Sequence, residues 1–166
     1  MLITASEPKG KLDTMTAHVF AMAMAALGVN GPEDDRTDWD AIDWRTQQDS
    51  VRRLRQRIFA ASRDGDLKRV RNLQKLMLRS RSNALVAVRR VTERNAGRKT
   101  AGVDRQVVVT AEQKADLADW IQHRAVPWKP LPVKRVYVPK SNGRRRGLGI
   151  PVIADRALQA LTVNAL

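Results

Sequence analysis

Lys134-Arg135-Val136-Tyr137-Val138-Pro139-Lys140-Ser141-Asn142-Gly143-Arg144-Arg145-Arg146-Gly147-Leu148-Gly149-Ile150-Pro151 reads as two strands around a tight turn. Asn142-Gly143 is a favoured two-residue hairpin connection, because both residues tolerate the positive φ that such turns need. The strands then run from Val133 to Val138 and from Arg144 to Ile150, with Pro151 closing the second. Side chains alternate across a strand, so Val136 and Val138 share one face while Arg135 and Tyr137 share the other. Lys140, Arg144, Arg145 and Arg146 gather at the turn. Four basic residues at a turn are often only a solvated tip. A rigid hairpin, however, holds cations in a fixed geometry, which suits a nucleic-acid backbone or a nucleotide triphosphate.

Upstream of the hairpin the pattern is helical. Trp128-Lys129-Pro130-Leu131-Pro132 must be extended, since proline forbids helix and restricts the residue before it. Before that, Thr110 and Gln113 form a capping box that opens a helix reaching about Arg124. Val107-Val108-Val109 is read as a short strand, and residues 97–105 as a basic, glycine-containing loop. Three helices precede the loop. Trp44, Gln48, Val51, Leu54, Ile58 and Ala61 recur at helical spacing behind a capping Asp43. Gly65 ends that helix and Asp66 caps the next, whose apolar stripe is Leu67, Val70, Leu73, Leu76 and Met77. Residues 82–94 form the third, with Leu85, Val88 and Val91 inward and Asn95-Ala96-Gly97 as its stop; the break before it, at Ser80-Arg81-Ser82, is weak. Downstream, Asp155 is read as the cap of a last helix, Arg156 to Leu166. The fold class is therefore α+β: a helical region, a basic β-hairpin and a final helix. The expected division is residues 1–37 as a flexible extension, 38–96 as a helical unit, and 97–166 as the loop, hairpin and last helix.

Charge narrows the function. The net charge is +14 over 166 residues, and it is unevenly spread. Residues 1–44 carry −5, and residues 45–166 carry +19. A surface of that density repels itself unless a polyanion neutralises it. Nucleic acid is the expected partner, with affinity that falls steeply as salt rises. A membrane partner is not expected, because no amphipathic helix carries bulky aromatic anchors. Arginine outnumbers lysine after residue 44, and its planar fork suits phosphate and base edges. The absence of cysteine removes disulfides and thiolate chemistry and fits the cytoplasm. The apolar run at 14–29 could pass for a secretory signal, but it contains His18 and lacks a leucine core, so it is read as part of an extension.

Catalytic machinery is not evident. No pair of aspartates sits together on a hairpin to hold the metal ions of a polymerase. No serine–histidine arrangement occurs, and His18 and His123 lack the spacing of a metal site. Gly97-Arg98-Lys99-Thr100 lacks the full pattern of a nucleotide-binding phosphate loop.

Several pieces, in order, carry a family resemblance. They are Trp39-Asp-Ala-Ile-Asp-Trp44, Val51 to Ile58, Val70 to Leu76, Val88 to Val91 and Gly97 to Asp104. Arg135 to Lys140, Asn142-Gly143, Gly147 to Pro151 and Asp155 to Ala160 complete the series. From about Val29 to Leu166 the chain resembles the N-terminal region and the start of the fingers of group II intron-encoded reverse transcriptase/maturases. The resemblance implies that residues 38–96 bind intron RNA in splicing. It also implies that the loop and hairpin belong to polymerase fingers that meet an RNA template, a DNA primer and nucleotide phosphates. By motif, the phosphate-binding candidates are Arg135, Lys140, Arg144, Arg145 and Arg146. By charge and position, Arg79, Arg81, Arg89, Arg90, Arg98 and Lys99 are further candidates. The family's catalytic aspartates and their Mg2+ would lie in a palm beyond Leu166, so no cofactor, catalytic residue or metal ligand is expected in this chain. Two departures stand out: Gly147 replaces a usual proline, and Arg105 replaces the glycine usual after Val-Asp. Alternatives are a degenerate remnant, left with unpacked Leu158, Leu161 and Val163, or one half of a split enzyme partnered by a palm-containing chain.

Overall fold

A computed structural model of the chain describes residues 37–125 and 128–166. The apolar run at 14–29 lies outside them. The described architecture is α+β, with five α-helices and one two-stranded antiparallel hairpin. Helix α1 spans Trp44–Arg63, α2 Leu67–Leu78, α3 Arg81–Arg89, α4 Ala111–His123 and α5 Ile153–Val163. Strand β1 is Lys134–Pro139 and β2 is Arg145–Ile150.

The helix boundaries follow local chemistry. Asp43 accepts hydrogen bonds from the backbone N–H groups of Arg45 and Thr46, at 3.0 and 3.2 Å, and starts α1. Gly65, at φ 72°, lets the chain reverse: Asp66 N–H reaches Ala61 O and Gly65 N–H reaches Ser62 O. These paired bonds satisfy carbonyls that the helix end would leave orphaned. Asp66 then caps α2 through Arg69 N–H at 2.9 Å. The weak break at Ser80 is a real one, since Ser80 accepts from Asn83 N–H and caps α3. Thr110 and Gln113 form the reciprocal capping box at α4.

Helix α3 is the centre of the packing, in contact with α1, α4 and α5. Ala84, Leu85, Ala87 and Val88 join Trp39, Leu117, Ile121, Ile153, Ala157 and Leu161 in one core cluster. A second cluster joins Val51, Ile58 and Ala61 of α1 to Leu73 and Met77 of α2 and to Ala165. Residues on both sides of Asn95–Gly97 thus contribute to the first cluster. A pair of buried asparagines sits inside this apolar frame. Asn83 is fully buried and donates to Met77 O and Leu161 O at 3.0 and 3.1 Å, while Asn164 donates to Asn83 Oδ1 at 2.8 Å. The C-terminal end of α3 widens into a π-helical turn, Arg90–Arg94.

Several sequence expectations need correction. Val107–Val109 forms no strand. Val109 N–H is taken by the Gln113 side chain at 2.9 Å, so the capping box uses a donor that a ladder would have needed. Leu67 and Leu76 lie off the buried stripe of α2, which rests on Leu73 and Met77 with half-buried Val70 packed beside them. Helix α5 begins at Ile153 rather than Arg156, and its N-cap is Val152. Asp155 is inside the first turn, where it serves another purpose described below. Leu161 is buried in the core and Leu158 half-buried, so only Val163 of that trio is left exposed. The hairpin loop has three residues rather than two. Lys140 and Arg144 form the closing pair, Gly143 N–H reaches Lys140 O, and only Gly143 takes positive φ, at 73°. A turn followed by a left-handed glycine is the next most common hairpin connection, and one glycine suffices for it.

No helix among the described residues is long and apolar enough to cross a membrane.

Candidate nucleic-acid interface

The hairpin is held at its base. Register pairs Lys134 with Ile150, Val136 with Leu148, Tyr137 with Gly147 and Pro139 with Arg145. The extended arm before β1 is fastened by Asp155 of α5, which accepts from Trp128 Nε1 at 2.6 Å and from Leu131 N–H at 3.2 Å. Trp128 also packs edge-on against Trp120 of α4, with centroids 4.9 Å apart. A buried carboxylate satisfied by two N–H donors is a stable fixture, because leaving either side unpaired inside the protein is costly.

The basic loop is fastened to the same end of α5. Arg156 donates to Gly97 O at 2.8 Å and to Thr100 O at 2.7 Å. Burial pulls the Arg156 guanidinium below its ordinary value, and Asp104 pulls the other way; the side chain remains charged. Its Nε is buried without a partner. Gly102 lies so close to Val152 that an added Cβ would sit 2.7 Å from Val152 Cα. A side chain there would push the loop off the hairpin–α5 junction.

The candidate cations fall into distinct settings. Arg135, Lys140, Arg144, Arg145 and Arg146 are all exposed and pair with no described carboxylate. Arg98 and Lys99 are exposed on a short 3-10 turn, Ala96–Lys99, beside the hairpin base. Arg90 is exposed on the π-turn, which also contacts α5. Arg79 is exposed at the C-terminal cap of α2. Arg79 and Arg81 flank the α2–α3 break, near the far end of α5, where Asn83 meets Leu161. At 1.5 Å per residue, the two ends of that helix lie roughly 16 Å apart. Arg81 and Arg89 have internal partners. Arg81 donates to Thr37 and to Gln122 and lies 3.8 Å from Asp119. Arg89 stacks over the Trp44 ring at 4.3 Å and pairs with Glu93 at 3.2 Å. The structure thus brings the hairpin, Arg98, Lys99 and Arg90 to one end, and leaves Arg79 and Arg81 apart.

Glu93 was not legible as a key residue. It accepts from Trp39 Nε1 at 2.9 Å, Lys114 Nζ at 3.0 Å and Arg89 Nε at 3.2 Å. Partial burial disfavours its charge, but the hydrogen bonds from Trp39, Lys114 and Arg89 outweigh that and hold its carboxyl below the ordinary glutamate value. The π-turn carries Glu93, and a widened turn is a recurrent device for re-aiming a side chain. The signal in sequence was weak: one acidic residue, far from Trp39 and Lys114, in a run of arginines.

The family resemblance implies magnesium, a hard cation that would need several free carboxylates close together. Asp43 and Asp66 cap helices, Glu93 joins Trp39 to Lys114, and Asp155 holds the hairpin arm. Among the described residues no three acidic or imidazole groups converge. These residues, each engaged elsewhere, do not make a magnesium site.

The N-terminal domain of reverse transcriptase matches residues 39–121. Over 123 residues the chain is 28% identical to Maturase-like protein 1 of Euglena gracilis, covering 74% of this chain and 27% of that protein. Over 39 residues it is 51% identical to Protein YkfC of Escherichia coli (strain K12), covering 24% of this chain and 10% of that one. The chain thus spans about a quarter or less of the curated relatives it matches. Half of the chain falls within the matched domain, and it belongs to the group II intron reverse transcriptase/maturase family, as an N-terminal region of such a protein.

Proposed function

We propose that this chain is an RNA-binding module that grips intron RNA, and an RNA template with its DNA primer, in splicing and intron mobility. Residues 38–96 serve as the helical RNA-binding part and residues 97–166 as the start of polymerase fingers. The observation that supports this best is the anchored hairpin, on which Arg135, Lys140, Arg144, Arg145 and Arg146 are exposed with no described acidic partner. Free arginines on a fixed ladder cost little conformational entropy when they meet phosphates, and Arg binds phosphate as a planar fork. Arg98, Lys99 and Arg90 extend the same cationic end, so the groups act together. Arg81 and Arg89 act on the protein's own fold.

The test is filter binding of the full chain to a structured group II intron RNA at low salt. Replacing Lys140, Arg144, Arg145 and Arg146 with glutamine should weaken binding by at least about tenfold, taking each lost phosphate contact as worth a few tenths to one kcal/mol. Unchanged affinity would reject the hairpin as the interface. The described residues supply no polymerase metal site, so primer extension on this chain should give no template-dependent product. Such a product would reject the reading of a binding module.

A further inference from the structure

The cations account for the tip and one edge of the hairpin, but not for the chain's one tyrosine. Tyr137 is 61% exposed, whereas Trp39, Trp44, Trp120 and Trp128 are all buried or half-buried. Its hydroxyl makes no hydrogen bond to a described residue. Across the ladder it pairs with Gly147, and a Cβ built on that glycine would lie 3.7 Å from Tyr137 Cε1. The ring edge therefore lies beside the partner strand, at ordinary contact distance from where a side chain on Gly147 would begin. Gly147 does not take positive φ, so backbone conformation does not require glycine there. What the missing side chain does is leave the space beside the Tyr137 ring open. Most of Tyr137 is left to solvent. Arg135, two residues earlier, and Arg145, diagonal across the ladder, share this face and are exposed.

We infer that Tyr137 is a stacking platform for an unpaired nucleobase, so that the hairpin takes single-stranded RNA in preference to duplex. The inference rests on the reading of the hairpin as an RNA-binding element. A base within a duplex already has both faces covered by its neighbours and cannot lie on a protein ring. An unstacked base can, and aromatic platforms flanked by cations are how single strands are held without sequence readout. Arg135 and Arg145 hold the phosphates on either side of the stacked base. Cations alone would bind duplex and single strand through the same phosphates, so a preference between the two is the signature of the ring.

The experiment uses the full chain with a uridine-rich RNA of about 12 nucleotides and an RNA duplex of the same length. Fluorescence anisotropy reads affinity, and 2-aminopurine placed in the single strand reads stacking by its quenching. Tyr137→Leu should weaken single-strand binding by roughly 5- to 150-fold and abolish the quenching, while duplex binding changes by less than about twofold. Tyr137→Phe should retain both. Gly147→Val favours the strand but puts two methyl groups beyond that Cβ position, beside the ring, so it should lower single-strand affinity alone with an unchanged circular dichroism spectrum. Equal loss on both RNAs, or no loss on the single strand, overturns the platform while leaving the hairpin an RNA-binding element. Failure of the wild-type chain to bind either RNA overturns both readings.

Discussion

Single residues carry much of the arrangement, and each makes a distinct demand. Arg105 takes φ 59°, a left-handed conformation that costs a non-glycine residue about 1 kcal/mol. It stands where the family resemblance expects glycine, and the backbone keeps the geometry despite the change. Arg105→Gly should therefore stabilise the chain by roughly 0.5 kcal/mol, the strain relieved less the entropy that glycine loses, read as a higher urea midpoint. Asp155 was read from sequence as a helix cap, since its type and place allow it. Its real partners, Trp128 and Leu131, arrive from more than twenty residues away, and local pattern does not contain them. Asp155→Ala should cost about 2–3 kcal/mol, because two N–H groups lose a charged acceptor, and the loss should appear as a lower denaturation midpoint. Glu93 supplies the pH dependence. Its folded carboxyl titrates below the ordinary value, so the folded state is favoured while pH stays above that value. That contribution is lost as pH falls through the folded pKa, and Asp43, lowered by its bonds from Thr46, acts in the same sense. Thermal melts should show a falling Tm on acidification below the ordinary glutamate range, and Glu93→Gln should flatten that fall.

At the level of elements, periodicity and caps found the helices well. Asp43, Asp66, Thr110 and Gln113 mark their starts with side chains that bond only a few residues away, so the signal is local and complete. The misses have a common cause in tertiary partners. Val107–Val109 has the composition of a strand but no neighbour to pair with, and Gln113 takes its donor. Leu67 and Leu76 fit a helical stripe, yet α1 covers only the line of Val70, Leu73 and Met77. The hairpin was legible as a hairpin, whereas its loop length depended on which residue closed the ladder. The close approach of Gly102 to Val152 links the basic loop to the hairpin–α5 junction. Gly102→Ala places a methyl against backbone atoms that cannot yield cheaply. It should destabilise by about 1–3 kcal/mol and weaken RNA binding through Arg98 and Lys99.

For the whole molecule, the buried Asn83 ties the end of α2, α3 and the end of α5 into one body. Its place after Arg79-Ser80-Arg81-Ser82 gave no hint of that role, since an asparagine in a helix reads as exposed until its partners are known. Asn83→Ala should cost about 2–4 kcal/mol, because Asn164 and two carbonyls are left unpaired in the core, and should still leave the hairpin cations in place. Charge at this scale was fully legible: the +19 carried by residues 45–166 needs only counting. Its division into free cations on the hairpin and engaged ones such as Arg81 and Arg89 needed coordinates. The measurement that bears most directly on the molecule as an RNA-binding module is a salt titration of its affinity for structured intron RNA. Log affinity should fall linearly with log salt, with a slope of magnitude about 4 or more for five hairpin cations, and Arg144→Gln with Arg146→Gln should reduce that magnitude by about 2. A slope near zero between low and moderate salt, or one that the paired substitution leaves unchanged, would contradict it.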